Sequence, residues 1–273
     1  MMKYMGTTLV KASALLMCSL SVLFAYKVGL FNIGAAGQYV VGAWSFSVFA
    51  LKLGMPWYVC MIAAIVIAAL VGGISGALKA YFNVNEVISC IMLNWISLYV
   101  VNMLLTQVKS ESTPYTVDLS SGNKRALLPN CGLDEIFSGN KFVSIGLIIS
   151  VVMAIVVWVL LEKTKFGFEL RATGMNKNAA KYCGMKEKRN TIVTMMIAGG
   201  LAGLGAAVSI SAELRPGWFS RQPFRAWALM ESQQPSLAAF TPSEQFFPLI
   251  LSSILQVVEA MWIRPCIVHR SLI

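Results

Sequence analysis

Between Pro56 and Leu78 the chain runs PWYVCMIAAIVIAALVGGISGAL without one charged side chain. A helix of that length rises about 35 Å at 1.5 Å per residue, enough to cross a hydrocarbon layer of about 30 Å. Such runs recur. Spans are expected near 7–26, 33–53, 56–80, 86–105, 142–161 and 191–212. Only 12% of the 273 residues are charged and 57% are hydrophobic, whereas soluble domains carry about 25% charged residues. The expected fold is therefore all-α, a polytopic transmembrane helical bundle of six to seven spans in the lipid bilayer, with one short helix outside it.

That short helix lies in Glu162–Asn190, EKTKFGFELRATGMNKNAAKYCGMKEKRN, between two apolar segments. The stretch holds eight of the 22 Lys and Arg against three of the 12 acids, half of the net +10. A basic loop between spans belongs on the cytoplasmic side, where positive charge is retained during insertion. Asn176 can cap a helix start and Gly184 can end it. Between them Ala179, Ala180 and Cys183 form a small-residue face suited to docking in a groove on a partner.

The remaining segments follow from the same rules. Thr7–Tyr26 resembles a signal peptide in outline, but no small-x-small cleavage site follows, so it reads as an uncleaved span. Its Lys11 must snorkel or face protein. Gly29–Gln38, GLFNIGAAGQ, interrupts an apolar stretch with two amides and three glycines. It is either a turn between two helices or a broken helix whose polar groups face a solute path. The small-xxx-small pairs Gly72/Gly76, Gly73/Ala77, Gly199/Gly203 and Ala202/Ala206 predict tight helix contacts. In the fourth span Asn94 and Asn102 are read as sharing an inward face, there to bond another helix or to line a path. Glu86 stands at its start. The loop Thr106–Lys141 balances four basic residues with four acids and reads as extracellular. Counting back from the basic loop places the N-terminus outside as well, with no helix before it to put it there. After Ala212 the composition changes; 213–273 is a divergent tail with one short apolar run, 246–262.

Several chemistries are disfavoured. The one histidine is His269, and the six cysteines show neither close pairs nor metal spacing. There is no P-loop, and the 15 methionines are adaptable core filler rather than a cofactor box. No cofactor is expected. The basic residues collect at the ends of apolar runs, which points to topology and not to nucleic acid. An intramembrane enzyme would want paired acids, and Glu86 stands nearly alone.

Three stretches resemble one family, the integral membrane permeases of bacterial ABC importers in the ribose, simple-sugar and nucleoside branch. Gly29–Gln38 is similar to that branch's GLFNIGAEGQ, with Ala36 where Glu is usual. NVNEVISCIMLNWI (Asn83–Ile96) resembles its NEVIST-x-MLN segment. Gly167–Met185 resembles its ELRA-x-G-x-N-x-x-AA-x-Y-x-G motif, and AGGLAGLGAA follows at the expected place. The match runs from about Thr7 to Ala212, which would make 1–212 the permease transmembrane domain. The resemblance implies a plasma-membrane permease subunit, not itself an enzyme. Its partners would be a cytoplasmic ATP-binding subunit dimer, a second permease subunit and an extracytoplasmic solute-binding lipoprotein. By motif, Glu169, Leu170, Arg171, Ala172, Gly174, Asn176, Ala179, Ala180, Tyr182 and Gly184 would couple to the ATPase. Asn32, Gly34, Gln38, Asn85, Glu86 and Asn94 would lie near the solute path. Uncharged amides suit a neutral, hydroxyl-rich solute such as a nucleoside or simple sugar, because hydroxyls need both donors and acceptors.

Two departures accompany the resemblance. Family members carry a further helix before the position matching Thr7, and a glycine-rich stretch with more spans after the small-residue helix. Here LRPGWFSRQPFRAWALMESQQPSLAAFTPSEQ occupies that place, as expected of a shifted reading frame or a rearranged end. A truncated, non-transporting permease fragment is the alternative reading.

Overall fold

The computed structural model describes residues 2–105, 123–129 and 144–213. The described residues form eight helices: α1 (Met2–Lys27), α2 (Ala35–Leu51), α3 (Trp57–Phe82), α4 (Glu86–Leu105), α5 (Gly146–Lys163), α6 (Lys165–Met175), α7 (Lys177–Tyr182) and α8 (Glu187–Glu213). A 3-10 turn, Lys124–Ala126, lies between α4 and α5. Five helices, α1, α3, α4, α5 and α8, are long and apolar enough to cross a membrane, and α2 is a shorter apolar helix of 17 residues. Of the divergent tail all but Glu213, its run 246–262 included, and most of the loop Thr106–Lys141 lie outside the described residues.

Helix α8 is the centre of the bundle and packs against α1, α2 and, most extensively, α3. Small residues make this close approach possible, because lipid supplies no hydrophobic drive between helices and contact must come from packing. A Cβ on Gly199 would sit 2.6 Å from the Ala68 carbonyl, and one on Gly203 2.6 Å from that of Ala64. From the other side a Cβ on Gly72 would collide with the Met195 carbonyl. Helix α3 buries the stripe Cys60, Ala64, Ala68, Gly72 and Gly76 against this seam. Its Tyr58, Ile62, Val66, Leu70 and Ile74 point outward, as do Ile88, Met92 and Trp95 of α4 and Val151, Val152 and Ile155 of α5.

The helix ends sort into two levels. At one end Gly174 of α6 meets Val28, just past the end of α1, and Lys188 at the start of α8 sits 5.1 Å over the Tyr81 ring at the end of α3. Lys79 and Glu86 pair there at 2.7 Å across the α3–α4 turn. At the other end Asn123 donates to the Ala50 carbonyl (3.1 Å) and the Met55 carbonyl (2.9 Å), tying the 3-10 turn to the α2–α3 corner. The six apolar helices therefore alternate in direction. Asn123→Ala is expected to lower stability by about 1–3 kcal/mol, because it removes these two bonds and the acceptor of the Arg125 amide, all partly exposed. Thermal unfolding of the detergent-solubilised chain would measure it.

One sequence expectation is corrected here. Asn94 is buried but Asn102 is exposed. Eight residues at 3.6 per turn leave the two about 80° apart around the helix, so one amide enters the bundle and the other leaves it.

Candidate functional site

The segment Gly29–Gln38 is neither a simple surface turn nor one continuous helix. Lys27 ends α1, and Gly29 adopts φ +75° to turn the backbone. The connector then runs inside the bundle: Val28, Leu30, Asn32 and Gly34 are buried. Irregular backbone at membrane depth requires internal partners, and it has them. The Leu30 amide donates to the Ala25 carbonyl at 3.0 Å. The Ile33 carbonyl accepts from Asn94 Nδ2 at 3.0 Å.

Asn94 also closes the start of α2. The cap residue Gly34 has no side chain, so the first amides of that helix lack a local acceptor. Asn94 Oδ1 reaches over from α4 and accepts from the Gly37 amide at 2.9 Å. Glycine at 37 is what permits this, since a Cβ there would lie 2.8 Å from Asn94 Oδ1 and 2.9 Å from its Cα. Beside it, Gln38 and Asn32 form a reciprocal amide pair: Asn32 Nδ2 donates to Gln38 Oε1 (3.0 Å) and Gln38 Nε2 to Asn32 Oδ1 (3.2 Å). Asn32 Nδ2 also lies 3.1 Å from Ser21 Oγ on α1. All three amides are buried. A tight crevice between α2, α3 and α4 borders them, lined by Gly34, Gln38, Ser75, Cys90 and Asn94.

The structure thus brings together Asn32, Gly34, Gln38 and Asn94. Asn85 and Glu86 stand apart, at the charged end of the bundle. Asn85 caps α4 by accepting from the Val87 amide (2.9 Å), and Glu86 pairs with Lys79. Ser21, Ser75 and Cys90 complete the polar cluster. Sequence reasoning passed over them because a Ser or Cys inside an apolar run reads as packing.

The second candidate region is the polar pair α6–α7. Thr164 starts α6: its Oγ1 accepts from the Gly167 amide (3.0 Å) and donates to the Leu160 carbonyl (2.6 Å). Helix α6 is amphipathic, with Gly167, Leu170 and Thr173 buried and Phe168 and Glu169 exposed. Leu170 is fully buried in the core. Arg171 pairs with Glu162 at 3.0 Å, and the Ala172 carbonyl accepts from the Asn176 amide. Asn176 caps α7, accepting from the amides of Asn178 and Ala179 at 3.1 Å each. Gly184, at φ +80°, closes it. The docking face differs from expectation. Ala180 is turned into the chain itself, while Ala179 and Cys183 stay exposed. The large outward apolar groups are Phe168, Met175 and Tyr182, the last two about nine-tenths exposed.

The buried amides of Asn32, Gln38 and Asn94 are bonded to one another or to backbone and hydroxyl groups of the bundle. Among the described residues no group of His, Cys, Asp or Glu is placed to hold a metal ion. The family model described as the branched-chain amino acid transport system/permease component matches residues 4–216. The chain belongs to this permease family. The permease is 35% identical over 210 residues to the guanosine ABC transporter permease NupP of Bacillus subtilis, covering 75% of this chain and 59% of that one. It is 36% identical over 213 residues to the nucleoside ABC transporter permease NupB of Lactococcus lactis, covering 74% and 58%. The glucose ABC transporter permease TsgB13 of Haloferax volcanii is 29% identical over 213 residues, 74% and 56%. The permease spans a little under three-fifths of the length of these curated relatives. No solved structure matches it. It is a multi-pass protein of the plasma membrane, and among the described residues five helices are long and apolar enough to cross it.

Proposed function

We propose that the permease is the membrane-spanning subunit of an ATP-driven importer for a neutral hydroxylated solute, a nucleoside or a simple sugar. A separate cytoplasmic ATPase dimer energises it, a second permease subunit completes the pathway, and an extracytoplasmic binding lipoprotein delivers the solute. The observation that carries this reading is the similarity to nucleoside and sugar permeases over about three-quarters of the chain, with the family match at residues 4–216 covering both the amide cluster and α6–α7. Asn32, Gln38 and Asn94 give the chemistry that hydroxyls and a nucleobase edge need, donors and acceptors side by side with no fixed charge. Asn85 and Glu86 stand at the mouth of the path. The exposed Phe168, Met175 and Tyr182 on α6–α7 meet the ATPase.

The test is ATP-dependent uptake of labelled guanosine and of labelled glucose into vesicles from cells expressing the permease with its co-purifying ATPase. Uptake of one but not the other assigns the solute, and uptake of neither, with no ATPase co-purifying, contradicts the reading. Tyr182→Ala separates the motor contact from the fold. Its ring is exposed, so stability is expected to change by no more than about 0.5 kcal/mol. Its affinity for the ATPase is expected to fall by about tenfold or more, the loss typical of an aromatic anchor at an interface. Titration of the detergent-solubilised complex would read both.

A further inference from the structure

Gly174 belongs by motif to the segment that meets the ATPase, but its position points elsewhere. The Cα of Gly174 lies against the backbone of the α1–α2 connector: a Cβ there would collide with the Val28 carbonyl and come within 3.1 Å of the Gly29 amide nitrogen. The contact is mutual, since a Cβ on Gly29 would lie 3.0 Å from the Gly174 carbonyl oxygen. The neighbouring Thr173 is buried and accepts from Asn190 Nδ2 on α8 at 2.9 Å. So the inner face of α6 is wedged between the start of α8 and the non-helical backbone of the α1–α2 connector inside the bundle. Four residues beyond Gly29, that stretch reaches Ile33, whose carbonyl is bound by Asn94, and then Gly34, where a Cβ would be 3.2 Å from Cys90 Sγ in the crevice.

We propose that Gly174 is a positioning residue for transport: its backbone contact with Val28–Gly29 holds the connector in place, and displacing α6 loosens the Asn94 clamp and opens the crevice at Cys90. Bistable packing converts a small shift at one site into a discrete change at another. Here the element with two arrangements is the connector with the first turn of α2. Helix α2 begins inside the bundle, held by two hydrogen bonds from a single side chain of α4. A push on α6 reaches that clamp through one backbone contact. The inference rests on the reading of α6–α7 as the motor-facing segment, but its test needs no motor.

Native cysteines report the opening. Cys90 lines the crevice; Cys18 and Cys60 are buried elsewhere in the bundle, and Cys183 is exposed. The full chain in membranes is treated with N-ethylmaleimide, and labelling at each cysteine is followed by mass spectrometry. Gly174→Ala and Thr173→Val are compared with the unaltered chain. Both variants are expected to raise the Cys90 rate by about tenfold, with Cys18 and Cys60 unchanged, because local opening exposes one region and global unfolding exposes all. If Gly174→Ala exposes every cysteine it has unfolded, and Thr173→Val, which adds no volume, decides alone. A Cys90 rate in Thr173→Val equal to that of the unaltered chain overturns the proposal. Failure of an ATPase to co-purify would instead overturn the functional reading while leaving this result standing.

Discussion

Asn94→Leu is expected to destabilise the bundle by about 2–6 kcal/mol, because it strands one buried and one partly buried backbone group at about 1–3 kcal/mol each. The groups are the Gly37 amide and the Ile33 carbonyl, both satisfied by this one side chain. Leucine keeps the branched shape and the number of side-chain heavy atoms but is bulkier, so overpacking adds to the lost hydrogen bonds. Asn102→Leu, on the same helix but exposed, is expected to shift stability by no more than about 0.5 kcal/mol. Denaturant titration of the two variants in micelles, followed by helical circular dichroism, measures the contrast. Equal effects would mean that Asn94 does not hold the start of α2. Asn94→Leu should also raise Cys90 labelling, since the same two bonds close the crevice.

The other large effect is expected at the α3–α8 seam. Gly72→Val places methyl groups where a bare Cβ already collides with the Met195 carbonyl. Backbone cannot swing aside as a side chain can, so a loss of about 3 kcal/mol or more is expected, at the upper end of overpacking costs. Gly73→Ala, one residue on, would meet only the side chain of Met196, at 2.9 Å from Cγ. Methionine is flexible and repacks, so about 1 kcal/mol or less is expected. Folded yield in membranes and resistance to denaturant report both. The helix centre is thus more sensitive at one glycine than at its neighbour, and sequence spacing alone does not tell them apart.

The helical bundle was legible because lipid imposes its own pattern. Runs of about 20 apolar residues have one low-energy form, and small residues four apart mark the faces that touch. Asn176 and Gly184 announced α7 by local chemistry. Helix α6 was not foreseen: its apolar positions Leu170 and Phe166 are few, and its cap Thr164 ends another helix's run, so no periodicity stands out. The amide cluster was half legible. The polar residues of Gly29–Gln38 showed that something interrupts the helix, but the partner that satisfies it lies 57 residues away in Asn94. The small-residue docking face failed for a related reason. Alanines at helical spacing fit a groove, but the nearest groove was the chain's own, and Ala180 fills it.

The proposed importer requires one orientation of the bundle, and Cys183 reads it directly. The thiol is exposed on the turn after α7, at the charged end of the bundle. In a variant retaining Cys183 as its one cysteine, a membrane-impermeant maleimide should label inverted vesicles and leave intact cells unlabelled. Labelling of intact cells would put α6–α7 outside, out of reach of any cytoplasmic ATPase, and would contradict the account.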